Sequence, residues 1–437
     1  MGNQDTLSSI YEGGNSLGFR PIDDRLVLEQ YTRLIRSQVD VLVVISHIGL
    51  DGDEGLTASE AEDLNITVPG VDLILGGHLH IVTNPPKLLP NNDGSTFCQT
   101  SNCQTLLVHS GAFAKFVGKL DLVVRVGTDN SDPEKRSRIV SFAYKNLPVD
   151  STIPEDAAVA NLMWPYSVKL NQDIDLNGVF AYVGPADDKK ILRNDQGGGD
   201  SQLGNMVARS MQLQQGVDAE FAFTNSLGIR TDFERGPLTN EQMYNVFPFE
   251  NSITVMYLSG REVQDTLDFV ARKSASRGCR TQAQVSGITF DMVCKSTTCP
   301  DDDPITGVKA TACAKNISIG EKCRGDNPDG PIDPNKCAPL SLTGLYRVAV
   351  NDYIASGGSG FIVLKRNTSA QNTGISLRDA LTVYLNKQPA MCDGMSTDQI
   401  VDETDPEGRT VRQRWGNVSC LDGNVEKHDG RIRPVFE

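Results

Sequence analysis

Residues 39–46 read VDVLVVIS, and residues 71–80 read VDLILGGHLH. The first is a continuous apolar run rich in β-branched residues, the pattern of a strand covered on both faces in a parallel sheet. The second repeats that pattern over Val71–Leu75 and stops at Gly76-Gly77, where the backbone is free to turn closely. Upstream, Asp24–Ser37 (DRLVLEQYTRLIRS) carries apolar residues at helical spacing. A helix followed by a buried strand is one unit of an α/β sheet. Thr105–Val108 supplies a third buried strand, while Gly118–Val126 and Arg138–Tyr144 alternate and read as half-exposed strands near a sheet edge.

The strand ends carry unusual chemistry. The chain of 437 residues has five histidines, His47, His78, His80, His109 and His428. An even spread would put fewer than one of them between positions 47 and 80, and three are there. His47 directly follows the first buried strand and His78 the second. In open α/β sheets, ligand sites lie just beyond the carboxyl ends of strands. His80 is two residues past His78, so in an extended segment both face the same way. Imidazole suits Zn, Mn or Fe, which makes these three candidate metal ligands. His109 also follows a strand, but its neighbours (LLVHSGAF) are apolar and small, the setting of a core or supporting histidine. His428 (EKHDGR) lies in a polar tail and reads as solvated.

Downstream the organisation changes. Pro148–Pro154 is a turn cluster, and Glu155–Leu170 turns helical, reading as a linker helix across 151–172. Residues 1–150 then form one domain and 173–437 another. The second opens with strand Gly178–Val183 and continues with helix Ser201–Gln215, strand Glu220–Thr224 and helix Thr239–Asn245. Strand Ile253–Ser259, helix Gly260–Ser274, strands Gln284–Asp291 and Tyr346–Val350 and helix Leu377–Asn386 complete an α+β pattern. Six of the ten cysteines lie from Cys279 to Cys337, among acidic, Pro- and Gly-rich runs (CPDDDP, RGDNPDGPIDP), so this stretch reads as a disulfide-stapled surface insertion. Its aspartates lack the regular spacing and closing Glu of a calcium loop.

Composition bounds the partners. There are 41 Lys+Arg against 56 Asp+Glu, a net charge of −15. That balance disfavours nucleic acid polymers, which attract basic surfaces, while a small anion held locally is still compatible. No apolar run approaches the roughly 20 residues of a membrane-spanning helix. The cysteines pair closely in sequence without a C-x-x-C pattern, so sequential structural disulfides in an oxidising compartment are expected, secreted, periplasmic or extracellular. Met1–Leu7 (MGNQDTL) has neither the basic region nor the apolar core of a leader. The expectation is therefore a chain whose front portion is missing.

Several segments resemble one family. Ser46-His47-Ile48-Gly49 and Gly76-Gly77-His78-Leu79-His80 are similar to motifs of the calcineurin-like metallophosphoesterases. The context V-D-L-I-L-G-G-H resembles the secreted 5′-nucleotidases and UDP-sugar hydrolases. Asn225–Arg230 (NSLGIR), Phe247–Phe249 (FPF) and Asn351–Phe361 (NDYIASGGSGF) resemble the substrate-domain motifs of the same family. The resemblance implies a partial metallophosphoesterase α/β sandwich, a linker helix hinged near Met163–Lys169, and a 5′-nucleotidase C-terminal α+β domain. It implies two divalent metal ions, Zn or Mn, that polarise a phosphoryl group and activate water. His47 and His78 would ligate one metal and His80 the other. Phe249 and Tyr353 would sandwich a nucleobase, Asn225 would hydrogen-bond it, and Arg230 and Arg193 would hold phosphate oxygens.

The family's earlier Asp-x-His and Gly-Asn-His motifs cannot be present ahead of His47, the first histidine. The complete metal site and the acid/base histidine are then not encoded in this chain, and it would be inactive or nearly so alone. Ser359 stands where the family carries an Asp for the ribose hydroxyls, and Ser226 and Leu227 replace two glycines. The expected function is hydrolysis of a nucleotide or related small phosphoester. The alternatives are a catalytically silent nucleotide-binding module, or a hydrolase of 2′,3′-cyclic nucleotides or nucleotide sugars. Oligomeric state is left open.

Overall fold

The computed structural model of the chain describes residues 22, 24–49, 69–77, 81–91, 95–101, 103–184, 190–275, 277–299, 310–389, 415–416, 418–421 and 425–436. The chain divides into two compact units, residues 1–160 and 161–437.

In the first unit, helix α1 (Asp24–Ile35) turns Leu28 and Thr32 inward. The strands that follow are β1 (Val43–Ile45), β2 (Leu73–Leu75) and β3 (Lys87–Pro90). Helix α2 (Thr96–Ser101) then leads to β4 (Gln104–Val108). They form a sheet in the order β1-β2-β4-β3, with β1, β2 and β4 parallel and β3 antiparallel to β4. Successive side chains of a strand alternate between faces. Val44, Ile74 and Leu107 accordingly pack toward Leu28 on the helix side. Leu73, Leu106 and Val108 face the other way. That second face is covered by a long hairpin, β5 (Phe116–Arg125) and β6 (Arg138–Pro148), through Leu120, Leu122, Ile139 and Tyr144.

Two expectations are corrected here. The hairpin is a two-stranded sheet of its own, not the edge of the first sheet, and its alternation reflects one face laid on β2 and β4. The run 39–46 is not buried on both faces: Val43 is 42% exposed and Ile45 73%. These two pair with Leu73 and Leu75 and so share the hairpin face, but the hairpin packs over Leu73, Leu106 and Val108 and stops short of β1.

Helix α3 (Ala157–Ile174) crosses the division between the units, with Pro165 inside it and no residue buried among those described. The second unit contains β7 (Val179–Val183), α4 (Gln202–Leu213), β8 (Phe221–Asn225), β9 (Gly236–Thr239) and α5 (Asn240–Val246). Next come β10 (Ser252–Ser259), α6 (Gly260–Ala275), β11 (Ala283–Ser286), β12 (Ile288–Lys295) and β13 (Cys313–Ile319). The last elements are β14 (Ala338–Pro339), β15 (Leu345–Asn351), β16 (Gln371–Ser376), α7 (Leu377–Asn386), β17 (Ser419–Leu421) and β18 (Ile432–Phe436). A five-stranded sheet, β11-β8-β15-β10-β16, forms the middle layer. Ala222, Val255 and Ala349 point to one side, against residues of α4 and α7. Phe221, Phe223, Met256, Leu258, Val348 and Val350 point to the other, against residues of α6, β12 and β13.

Local signals set several element ends. Ser201 caps α4, its Oγ accepting the Gly204 N–H at 3.0 Å. Thr239 and Gln242 form a reciprocal capping box on α5. Gly287, at φ 75°, breaks the expected strand 284–291 into β11 and β12, which belong to different sheets. The cysteine-rich stretch is also more than a surface insertion: β13 pairs with β12, and Cys313, Ala314 and Ile317 are buried. The sequential disulfides Cys98–Cys103, Cys279–Cys294, Cys299–Cys313 and Cys323–Cys337 are present. Cys420 is disulfide-bonded as well, and its expected partner Cys392 lies outside the described residues.

Candidate functional site

β8 and β15 run parallel, and their carboxyl ends lie side by side. Asn225 closes β8 and Asn351 closes β15. The Asn351 Nδ2 donates to Asn225 Oδ1 and to Thr224 Oγ1, both at 2.7 Å. Its own Oδ1 accepts the Ile354 N–H at 2.9 Å, capping the helical turn 352–355. Asn225, expected to read a base, is 5% exposed, with its carbonyl oxygen engaged by Asn351. Asn351 itself was not singled out from the sequence as a site residue. The signal available was an asparagine at a strand-to-helix junction, an N-cap preference.

Beyond this pair lie the aromatic residues. Tyr353 sits on the helical turn, partly buried, and its hydroxyl oxygen accepts the Ser359 N–H at 3.1 Å. Ser359 has left-handed backbone geometry, φ 55° and ψ 18°, which is uncommon outside glycine. Its carbonyl accepts from Lys273 Nζ at 2.7 Å, so a cation from α6 also reaches this loop.

Phe249 is 54% exposed, an unusual setting for a phenylalanine. The turn that presents it is held from behind by Arg378 of α7, which donates to Phe247 O at 2.7 Å and Phe249 O at 3.0 Å. Arg378 was another residue the sequence did not reveal. Over the Phe249 ring, 5.7 Å from its centroid, lies the Arg230 guanidinium. Arg230 is itself steadied by Leu227 O at 3.1 Å.

Arg193 comes from the loop after β7. Its backbone N–H donates to Asp232 Oδ1 at 2.9 Å and its Nη1 to Ile229 O at 2.8 Å. Burial draws the Arg193 guanidinium below its ordinary value, with Asp232 opposing. Burial and the facing charge of Arg193 do the same to Arg230. Two partly desolvated guanidiniums beside an exposed ring form a site suited to an anion joined to a flat apolar group. The structure thus joins Arg193, Arg230 and Phe249 into one set and Asn225, Tyr353 and Ser359, through Asn351 and the 351–360 loop, into another.

In the first unit His47 lies two residues past β1 and is exposed. His78 and His80 lie outside the described residues. Among the described residues no cluster of three or more His, Cys, Asp or Glu side chains is placed to hold a metal ion. A Cβ added at Gly77 would come 2.9 Å from His47 Nδ1, so the glycine lets the His47 ring lie close against this strand end. His428, read as solvated, is instead half-buried against Asp200, its Nδ1 3.2 Å from Oδ1 and 2.8 Å from the Asp200 carbonyl.

Fold and site together define an α/β unit with histidines beyond its strand ends, followed by an α+β unit in which Arg230 lies over the exposed Phe249 ring. Residues 182–366 match the model of the 5′-nucleotidase, C-terminal domain. A 5′-nucleotidase of Vibrio cholerae is 25% identical over 369 residues, covering 80% of this chain and 59% of its own length. An apyrase of Tabanus yao is 26% identical over 390 residues, covering 84% of this chain and 62% of its own. The chain therefore spans about three-fifths of the length of these relatives. Among solved structures, a 5′-nucleotidase precursor of Thermus thermophilus superposes with a TM-score of 0.69 at 20% identity, over 100% of this chain and 71% of its own, a likeness of fold.

Proposed function

We propose that this chain is the substrate-binding part and a portion of the catalytic domain of a metal-dependent hydrolase of nucleotide phosphate esters. Residues 173–437 form the substrate domain, 151–172 the linking helix, and 1–150 part of a metallophosphoesterase domain. The observation that carries the reading is the Arg230 guanidinium over the half-exposed Phe249 ring, with Arg193 beside it. A nucleobase entering this site replaces the guanidinium on the ring face, and the two arginines turn their donors to the phosphate. Tyr353 supplies the second aromatic wall, and Asn351 holds Asn225 in register with it.

Divalent metal ions bound at the carboxyl ends of β1 and β2 would polarise the phosphoryl group and generate the nucleophilic water. His47, His78 and His80 are the chain's contribution to holding them. Gly77 fits this role, since a Cβ there would press on the His47 ring, 2.9 Å from its Nδ1. The disulfides support an oxidising, extracytoplasmic compartment.

Isothermal titration of the full chain with AMP, adenosine and inorganic phosphate, without metal, tests the recognition step. Phe249→Ala is expected to weaken AMP and adenosine alike, by about 1–3 kcal/mol for a lost stacking face. Arg230→Ala weakens AMP and leaves adenosine nearly unchanged. A chain that binds neither AMP nor adenosine overturns the reading.

Ser359 favours a second reading, a 2′,3′-cyclic nucleotide or a nucleotide sugar as substrate. A neutral hydroxyl with Lys273 at its carbonyl tolerates added negative charge near the sugar. Including 2′,3′-cyclic AMP and UDP-glucose in the same titrations separates the two.

A further inference from the structure

His109 directly follows β4 and is 2% exposed, and among the described residues neither of its ring nitrogens has a hydrogen-bond partner. Buried polar atoms are nearly always paired, because leaving one unpaired costs about 1–3 kcal/mol. Core packing alone would be better served by an apolar side chain. The ring is also placed with unusual closeness. A Cβ built on Gly76 would lie 2.1 Å from His109 Nε2 and 2.8 Å from both neighbouring ring carbons, so the nitrogen edge of the imidazole is pressed toward the Gly76 Cα. A Cβ on the next residue, Gly77, would lie 2.9 Å from His47 Nδ1.

Consecutive residues of an extended segment project to opposite faces. The two imidazoles therefore grip the end of β2 from its two sides, His109 on the Gly76 side and His47 on the Gly77 side. The backbone around them is fixed: Gly76 N–H donates to Val108 O and Ser46 N–H to Leu75 O, both at 2.9 Å. His109 is tied in turn to the segment before β3, its N–H donating to Thr83 Oγ1 at 2.9 Å and its carbonyl accepting the Thr83 N–H at 3.0 Å. The wedge thus stands on a hydrogen-bonded base and pushes against a turn that has no side chain to yield.

We infer that His109 is a positioning residue for the metal centre: its imidazole sets the height of the Gly76-Gly77 turn against the His47 ring. This rests on the reading of His47 as a metal ligand. The role inferred for His109 is support and not ligation: its ring packs against Gly76, beside the residue that faces His47. Removing the ring leaves a gap beside Gly76, into which the turn relaxes, and the ligand geometry loosens with it. Outer supports of this kind are typically worth about 10–100-fold in metal affinity.

The test is titration of the full chain with Co²⁺, followed by calorimetry and by its visible d–d bands, with thermal melting of each metal-free variant alongside. His47→Ala is expected to abolish the Co²⁺ spectrum. His109→Ala is expected to weaken Co²⁺ at least about tenfold and to shift the bands. His109→Gln, which keeps length and polarity, should restore most of the affinity. Gly76→Ala, which must displace the ring, should reproduce the His109→Ala defect and covers the case in which that variant does not fold. An unchanged Co²⁺ affinity and spectrum in His109→Ala, whatever its melting temperature, makes His109 a packing residue and overturns the inference, as does a wild-type chain with no Co²⁺ site. AMP titration without metal reads the second unit separately, so failure of one reading does not hide behind the other.

Discussion

His428 shows how a single side chain ties a distant segment into the fold. Its hydrogen bond to the Asp200 carboxylate raises its pKa to about 9, against the cost of burial. Asp200 is fully buried, which alone would raise its pKa, yet His428 and Asn205 hold the carboxyl below the usual range. Its Oδ2 accepts Asn205 Nδ2 at 2.7 Å and the Asp429 N–H at 3.2 Å. A histidine whose folded pKa is raised stabilises fully below its unfolded value, about 6.5, and that contribution disappears as pH rises through the folded pKa. The paired carboxylate adds the opposite limb, lost as pH falls below about 4. The melting temperature is therefore expected to hold from about pH 5 to 6.5 and to decline toward pH 9. His428→Gln should lower the plateau and flatten the alkaline decline, which melting curves across that range will show.

Asp291 plays the corresponding part at the level of strands. It lies on β12 between β13 and β18, 3% exposed. Arg324 Nη2 donates to it at 2.5 Å, Arg433 grips both oxygens at 2.8 Å, and Asn316 Nδ2 donates at 2.7 Å. Removing this carboxylate strands two guanidiniums, one with 1% of its side chain exposed. Asp291→Ala is expected to cost about 3–5 kcal/mol in urea unfolding. The exposed pair Lys119–Asp121, by contrast, should change stability by less than about 1 kcal/mol when Lys119 is replaced.

None of the Asp291 links could be read from the sequence, because its partners are 25 to 142 residues away and carry no periodic signal. What the sequence did show was local. Helix Leu377–Asn386 appears with both predicted ends, since its apolar spacing and Ser376 cap lie within a few residues of each other. The parallel strands β1, β2 and β4 were visible as apolar runs, but which face the hairpin leaves uncovered depends on tertiary packing. At the site, Phe249 and Arg230 stood out through the surrounding motifs. Asn351 and Arg378 did not, because their roles consist in holding other residues.

Over the whole molecule, covalent reinforcement is uneven. Three of the four described disulfides with both partners placed lie between Cys279 and Cys337, and they close loops with separations of 15, 14 and 14 residues. The one in the first unit closes a separation of only 5. Chain-entropy arguments assign about 3 kcal/mol to a 15-residue loop and less to a shorter one. Reduction with dithiothreitol should accordingly speed amide hydrogen exchange in β12 and β13 far more than in β2 and β4. Mass spectrometry with and without reductant will show whether protection falls in that order.

The chain has two tryptophans. Trp164 stands 68% exposed on α3, whereas Trp415 is half-buried, its ring centroid 6.3 Å from that of Tyr182 on β7. One fluorophore therefore emits in a water-like setting open to iodide, and the other in a sheltered one within energy-transfer range of a tyrosine. The protein carries two spectrally separable lamps, one on the helix that crosses between its units and one beside the first strand of the second, so movement of either can be watched without attaching a dye.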